Sequence, residues 1–307
     1  MTLQQLEYIL ALEKYRQFGP AAEACNITQS TLSTMIKKLE DELDTVIFDR
    51  TKHPISPTIA GELLLQQART VLFHANQLKE MSLNERQRIS GTIHLAITPT
   101  IAPYIMPQLF KRINPIPEVQ IHANEMHRSK IVEALLKAEV DMAIMSLPQG
   151  AEGLLEIPLY HETLYAYVSP DDPLFEQSSI CSQTMPQERL WALRNEISFQ
   201  KQIFEFCEQN FYPSSFYASG SLTTLIHIVN ANSGFTIIPE LHIPLLRDKF
   251  RENIRPLVDP VPMRQVSIFV REDYVREGLV NLVADTVRQI VPEHMIDQHL
   301  LKYRIKL

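Results

Sequence analysis

The chain has few of the residues on which common catalytic and nucleotide-binding motifs depend. Only 8 of its 307 residues are glycine, which leaves little room for a glycine-rich loop that cradles phosphates. Neither a Gly-x-Ser-x-Gly elbow nor a His-Glu-x-x-His zinc motif occurs in the sequence. His122, Glu125 and His127 lie close together, but their spacing is a weak metal-binding pattern. We therefore expect no enzyme, no bound cofactor and no metal site.

Cysteine, long apolar runs and a basic start are also scarce or absent. Cys25, Cys181 and Cys207 are the only cysteines, an odd and sparse set that favours a reducing compartment over a disulfide framework. No apolar run approaches the roughly 20 residues of a membrane span. The first residues lack the basic start and unbroken apolar stretch of a signal peptide. These absences predict a cytoplasmic protein without a membrane partner.

Positive charge is in short supply overall but not around one segment. The chain has 29 Lys and Arg against 36 Asp and Glu, a formal net charge of -7, so its non-specific binding to nucleic acid should be weak. Specific binding by a dimer on two half-sites remains compatible with this balance, because a local basic surface suffices. The basic residues that lie close together in the sequence are Lys37, Lys38, Arg50, Lys52 and His53.

The segment from Phe18 to Glu40 predicts two short helices joined by a tight turn. Thr28 can cap the second helix, because its hydroxyl accepts from the N–H groups of a first turn. Apolar residues from Leu32 to Leu39 recur at three- and four-residue spacing, as in an amphipathic helix. This is the helix-turn-helix plan, in which the second helix enters the major groove of DNA; the alternative is a helical hairpin with a solvated face. The polar face expected to meet DNA consists of Gln29, Ser30, Thr31, Ser33, Thr34, Lys37 and Lys38.

A short β-ribbon after this pair of helices predicts a wing. The strand-like residues 46–48 precede a basic turn that ends at Pro54. Arg50 and Lys52 on this turn are expected to contact DNA phosphates. The alternative is a surface hairpin with solvated charges.

Residues 58–80 predict one long helix without an internal proline. Small and apolar residues recur along it at spacings of three and four, which is typical of the seam of a short coiled coil. A helix packed on its own domain would show a similar stripe. The polar residues that follow end at Gly91, where we expect a hinge. The expected seam consists of Gly61, Leu64, Ala68, Val71, Ala75 and Leu78.

From Thr92 onward, apolar strands alternate with helices, which predicts an α/β fold with a parallel sheet and helices on both faces. A second run of this type begins near Thr163, and residues 265–290 are expected to return to the first run. The predicted domains are a winged helix-turn-helix over 1–57, a dimerising linker helix and hinge over 58–90, and a two-lobed domain over 91–307. Lobe I takes about 91–162 and 265–292, and lobe II takes about 163–264.

Polar residues at strand ends and helix starts of the two-lobed domain predict a ligand site in its cleft. The helix starts after Thr100 and Ser221 are expected to offer N–H groups to an anion. Arg128 adds a charge-assisted partner. Helix capping is the alternative role of each hydroxyl. The residues expected in this effector site are Thr98, Thr100, Arg128, Ser146, Ser198, Ser221 and Thr236.

Three stretches carry a family resemblance: LEYILALEKYRQFGPAAEACNITQSTLSTMIKKLEDEL, FDRTKHPISPTIAG and SGFTIIPEL. With them the chain resembles the LysR-type transcriptional regulators over nearly its whole length. The resemblance implies a winged helix-turn-helix, a dimerising linker helix and a periplasmic-binding-protein-like effector domain. It also implies the partners: double-stranded DNA with an interrupted palindrome, a small-molecule effector, further copies in a homodimer or homotetramer, and RNA polymerase as a further candidate. Ser30 stands where the family often has proline.

Within that family the chain is most similar to the peroxide-sensing OxyR group, through ITPTIAPYIMP, LEDEL and the spacing from Leu190 to Cys207. That group senses peroxide through a reactive cysteine and a second cysteine nine residues later, and these positions hold Ser198 and Cys207 here. A serine hydroxyl forms neither a sulfenic acid nor a disulfide, so we expect a small-molecule effector, with an anion favoured. Two alternatives stay open. One is a redox response through Cys207, with Cys181 as a partner; the other is a solute-binding protein on the same bilobal fold.

Overall fold

A computed structural model describes residues 1–84, 89–146, 151–193, 215–217, 221–274 and 276–297. The chain divides into two compact units, one of Met1–Arg88 with Lys137–Glu139 and the other of Ile89–Leu136 with Val140–Leu307. Across the described ranges, no helix is both long enough and apolar enough to cross a membrane.

The first unit is a small helical domain with a two-stranded ribbon. Its helices pack around a core that includes Leu12, Leu32, Ile36 and Leu39, all fully buried. The predicted helix-turn-helix is confirmed: the second and third helices are separated by four residues, 25–28. The elements are α1 Leu3–Tyr15, α2 Phe18–Ala24, α3 Gln29–Glu42, β1 Phe48–Asp49, β2 Ser56–Pro57 and α4 Ile59–Asn84.

Local side-chain contacts set where the helices of this unit begin. The Thr2 hydroxyl accepts from the Gln5 backbone N–H, and the Gln5 side chain accepts from the Thr2 N–H, which completes a capping box. Thr28 caps α3 as predicted, since its Oγ1 accepts from the Thr31 N–H at 3.2 Å. The ribbon pairs Phe48 with Pro57 in antiparallel register, so the predicted wing is present.

Part of the predicted seam on α4 packs against the first unit itself. Gly61 is buried, and a Cβ added there would overlap the carbonyl oxygen of Ile47. Ala68 is also buried in the core of the first unit. The expectation that these two residues face a second helix is therefore wrong, because they are the points where α4 meets its own domain. Among the described side chains of α4, the large apolar ones that are exposed are Ile59, Leu63, Val71 and Leu78.

The second unit is built on a mixed sheet with flanking helices. Its strands are β3 Gly91–Ile97, β4 Val119–Glu125, β5 Met142–Met145, β6 Leu154–Val168, β7 Ile180–Cys181, β8 Trp191–Leu193, β9 Ser215–Tyr217, β10 Phe235–Pro239, β11 Ile254–Val258 and β12 Met263–Arg271. Its helices are α5 Ala102–Ile113, α6 Arg128–Leu136, α7 Leu222–Asn232, α8 Asp248–Arg251 and α9 Glu277–Ile290. The expected helix from Phe199 to Gln209 lies outside the described residues.

The expected all-parallel sheet is wrong for part of this unit. Strands β4, β3 and β5 are parallel neighbours, but β12 runs antiparallel to β5 and β6 runs antiparallel to β12. The pairing of β12 with β5 confirms that the chain returns to its first group of strands. The boundaries of the two lobes stay a prediction.

One long strand links the two groups of strands. The part of β6 up to Thr163 pairs with β12, whereas Leu164 to Val168 pairs with β10. The sequence pattern predicted a strand only from Thr163. Residues of β3, β5 and β12 alternate between a face that packs on α6, with Ala96 and Phe269, and an opposite face.

Candidate DNA-binding surface and effector cavity

The polar face of α3 is exposed while its apolar face is buried. Since successive helical residues are about 100° apart, five of the predicted residues share one side of the helix. Ser33 is half-buried and the other four are exposed. Thr31 is also exposed, on the neighbouring side. The five that share a side are Gln29, Ser30, Ser33, Thr34 and Lys37.

The hydroxyls at the start of α3 form a small cluster around the cap. Thr28 Oγ1 lies 3.0 Å from Ser30 Oγ and 2.8 Å from Thr31 Oγ1. Each hydroxyl can donate and accept at once, so these contacts leave capacity for a base edge or a phosphate. The cluster holds both side chains at the exposed end of the helix.

The two predicted wing residues differ in their surroundings. Lys52 is exposed, with its Nζ 3.7 Å from Asp49. Hydrogen bonds from the Thr51 hydroxyl and backbone N–H lower the pKa of Asp49, which therefore stays ionised beside Lys52. Arg50 instead donates to Glu40 at 2.6 Å.

A cavity of about 400 Å³ lies at the carboxyl ends of β3 and β4, the position expected for a ligand site in this type of fold. Thr100 and Ser221, two of the residues expected in the effector site, line this cavity. Thr98, Arg128, Ser146 and Thr236 are not part of this lining, and Ser198 lies outside the described residues. The described residues that line it are Pro99, Thr100, Pro103, Tyr104, Glu125, His127, Ser221, Leu222, Thr223 and His242.

Thr98 and Thr236 are both buried. The Thr98 carbonyl accepts from the Ala102 N–H at 3.0 Å and so holds the start of α5. Thr236 is fully buried in β10 and its hydroxyl donates to the Trp191 carbonyl at 2.9 Å. In this arrangement the Thr236 hydroxyl bonds within its own unit, and Thr236 is not among the lining residues of the cavity.

The two helix starts at the cavity differ in what they offer an anion. At α5, Pro103 has no N–H, and the N–H groups of Ala102 and Tyr104 already donate to backbone carbonyls. The predicted anion-binding role of this helix start is thus not supported. At α7, the Ser221 hydroxyl accepts from Thr224 at 3.2 Å, while the first-turn N–H groups of Leu222 and Thr223 have no partner within the helix.

A buried ion pair forms the floor of this site. Arg264 and Glu162 are almost fully buried, and the Arg264 Nε donates to Glu162 Oε1 at 2.6 Å. Arg264 also donates to the hydroxyl and carbonyl of Thr100 and to the Tyr104 hydroxyl, at 3.0–3.1 Å. Burial raises the pKa of Glu162 and Arg264 opposes that shift. Through these hydrogen bonds the buried pair holds Thr100 and Tyr104, two residues of the cavity wall, in place.

His242 is the least expected residue of the cavity. It is 3 % exposed, and its Nδ1 has no hydrogen-bond partner in the described part of the chain. Burial, and secondarily the charge of Arg264, lower the pKa of His242 to about 4. The imidazole is therefore neutral at pH 7 and becomes a candidate donor or proton acceptor for a bound ligand.

Sequence reasoning missed several of these residues. His127 and Glu125 line the cavity, whereas His122 stacks edge-on against His94, with ring centroids 5.4 Å apart. Among the described residues, no three His, Cys, Asp or Glu side chains are placed to hold a metal ion. An arginine at the start of the apolar strand β12 was the one readable signal for Arg264.

Of the three residues named in the redox alternative, only Cys181 is among the described residues. Ser198 and Cys207 fall outside the described residues. Cys181 is half-buried, and its Sγ lies 3.6 Å from the Asp259 carbonyl oxygen. Cys25 is half-buried in the first unit, where burial raises the pKa of its thiol.

Comparison with known proteins identifies the family to which each of the two domains belongs. The profile described as "Bacterial regulatory helix-turn-helix protein, lysR family" matches residues 3–62, and the one described as "LysR substrate binding domain" matches residues 86–292. The chain is 31% identical over 297 residues to the hydrogen peroxide-inducible genes activator of Pectobacterium carotovorum, covering 96% of this chain and 98% of that protein. It is 30% identical over 296 residues to the DNA-binding transcriptional dual regulator OxyR of Escherichia coli K12, covering 96% and 97%.

The fold is likewise similar to a solved OxyR structure. A full-length OxyR variant from Pseudomonas aeruginosa superposes with a TM-score of 0.77 at 30% identity, covering 94% of this chain and 98% of that chain. Both the sequence resemblance and the fold class predicted above are confirmed. The chain belongs to the LysR family of transcriptional regulators, oligomeric proteins that bind DNA through the helix-turn-helix and a small molecule through the substrate-binding domain.

Proposed function

We propose that this regulator reads DNA with the exposed polar face of α3 and steadies that contact with the wing. The observation that carries the proposal is the orientation of α3, which buries Leu32, Ile36 and Leu39 and exposes hydroxyl, amide and lysine groups. These groups match the donors and acceptors of base edges in the major groove. The proposed contacts are Gln29, Ser30, Thr31, Ser33, Thr34 and Lys37 on α3 and Lys52 on the wing.

Binding of the purified protein to the DNA upstream of its own gene tests this proposal. We expect a shift at low salt on an interrupted palindrome. Thr31→Ala and Ser33→Ala should weaken binding to this DNA more than binding to unrelated DNA, because they remove contacts to bases. Lys52→Ala should weaken both and reduce the slope of log affinity against log salt by about 1. Absence of any shift at low salt would contradict the proposal.

We also propose that a small anion in the cavity at α7 switches the regulator. The first-turn residues of α7, His127 and His242 all line the cavity and carry N–H groups, and a helix N-terminus favours negative charge. The cavity of about 400 Å³ has room for a small organic acid. A set of small carboxylates and inorganic phosphate, screened by thermal shift with His242→Gln as control, tests this. A shift that persists in His242→Gln would place the ligand elsewhere.

A redox response is the second candidate, favoured by the similarity to peroxide-inducible activators. Ser198 argues against it, because the position lacks a sulfur. Dilute peroxide should therefore leave DNA binding unchanged. A reversible change in DNA binding that is lost in Cys207→Ser would favour the redox alternative. We further propose that the protein acts in the cytoplasm and catalyses no reaction, since the family that it matches and the relatives named above are transcriptional regulators.

A further inference from the structure

The wing is attached to the DNA-reading helix through one buried carboxylate. Glu40 lies near the end of α3 and is 8 % exposed. Its Oε1 accepts from the backbone N–H groups of Ile47 and Phe48, at 2.8 and 3.2 Å. Its Oε2 accepts from the Arg50 guanidinium at 2.6 Å. A single side chain therefore joins α3 to both the beginning and the turn of the wing.

Arg50 is held from a second side as well. Its guanidinium carbon lies 5.5 Å from the centroid of the Phe18 ring, at the start of α2, a distance suited to a cation–π contact. The Arg50 side chain thus bridges α2, α3 and the wing. Lys52, two residues further on, is far more exposed, at 65 % of its side chain against 37 %.

The charge of Arg50 is already matched within the domain. A guanidinium bound to a carboxylate at 2.6 Å releases few counterions when it meets DNA. Withdrawing it toward a phosphate would also leave the buried Glu40 carboxylate without its cationic partner, which is costly. Glu40 and Arg50 thus form an internal clamp, a pair of side chains that holds the wing against α3.

We infer that Arg50 is a positioning residue, which fixes the wing against α3 through Glu40, and that it is not a phosphate ligand. This inference rests on the proposed function, and it revises one expected DNA contact. The Glu40–Arg50 pair then controls DNA binding through the placement of the wing. Lys52 remains the residue of the wing that meets the phosphate backbone.

The effect of salt on DNA binding separates the two roles. Arg50→Ala, Arg50→Lys and Glu40→Gln should each weaken binding to the upstream DNA by about tenfold and leave the salt slope unchanged, because each breaks the clamp. The double variant that combines Glu40→Gln with Arg50→Ala should bind DNA no more weakly than either single variant. A phosphate role predicts the reverse: Glu40→Gln frees the arginine and strengthens binding, Arg50→Lys is tolerated, and Arg50→Ala lowers the slope by about 1. That second pattern would overturn the inference.

Hydrogen exchange in the absence of DNA gives an independent readout. The amides of Ile47 and Phe48 should exchange faster in Glu40→Gln and in Arg50→Ala, but not in Lys52→Ala, the matched control on the same turn. Unchanged protection in the first two variants would contradict the clamp. If the wild-type protein does not bind the DNA at all, the proposed function fails, whereas the exchange measurement still decides whether the clamp exists.

Discussion

The two candidate sites use similar polar groups in opposite surroundings. On α3 the hydroxyls of Thr31 and Ser30 are exposed and bond to a neighbouring hydroxyl. Around the cavity, Arg264, Glu162 and His242 are at most 3 % exposed. Exposed groups lose little when a partner is removed, whereas a buried charge without its partner costs several kcal/mol. The contrast implies that substitutions on α3 change function with little effect on folding, and that those around the cavity change both.

The largest effect is expected for the buried pair. Glu162→Ala leaves the Arg264 guanidinium without its carboxylate in a closed site, so the free energy of unfolding should fall by about 3–5 kcal/mol. Urea unfolding of the wild type and the variant measures this. Asp248→Ala, which removes an exposed partner 3.4 Å from Arg251, is the matched control and should leave stability near the wild type. A small effect of Glu162→Ala would show that this site is not closed to water.

A glycine in the first unit tests whether tolerance of substitutions is confined to the exposed face of α3 or extends to the unit as a whole. Gly61→Ala places a Cβ against the Ile47 carbonyl oxygen, and overpacking of this kind costs about 1–3 kcal/mol. Gly19→Ala is the control, because the nearest atom to a Cβ there is a Gln29 side-chain oxygen at 3.9 Å. Thermal unfolding should show a loss only for Gly61→Ala. Equal stability of the two variants would mean that α4 shifts easily on its domain.

The helices α3 and α4 show what the sequence could and could not predict. The α3 helix was predictable because its apolar residues repeat with the helical period and Thr28 precedes them as a cap. The orientation of α4 was not, since apolar residues lie on more than one of its sides. Spacing alone does not say which side packs on the chain's own core. Gly61 would have been informative only with the Ile47 carbonyl in view.

The cavity was harder to predict than the DNA-binding surface because its parts are distant in sequence. Glu162 and Arg264 are 102 residues apart, and no local pattern joins them. The strand β6 was shortened in the prediction because Pro158 and polar residues interrupt its alternation. The poor donor capacity of α5, by contrast, was readable from Pro103, which has no N–H.

The buried histidine gives the cavity a dependence on pH that α3 lacks. The folded pKa of His242 is about 4, below the unfolded value of about 6.5. The unfolded state therefore binds the extra proton first, and His242 destabilises the fold as pH falls from 6.5 toward 4. The stability difference between His242→Gln and the wild type should change by about 1.4 kcal/mol per pH unit over that window. A constant difference across the window would contradict a buried, neutral imidazole.

The smallest effects are expected on α3 itself, where two hydroxyls five residues apart separate folding from DNA binding. Thr28→Ala removes the acceptor of the Thr31 N–H at 3.2 Å, and loss of such a cap costs about 1 kcal/mol. Ser33→Ala removes a hydroxyl from the side of α3 that is proposed to face DNA, so stability should stay within about 0.5 kcal/mol of the wild type. Urea unfolding and anisotropy with the upstream DNA measure both quantities on the same samples. If Ser33→Ala destabilised the domain as much as Thr28→Ala, its loss of DNA binding would no longer identify a contact with DNA. The contrast between exposed polar groups, which affect function, and buried ones, which also affect folding, would then fail on α3, the helix from which it was drawn.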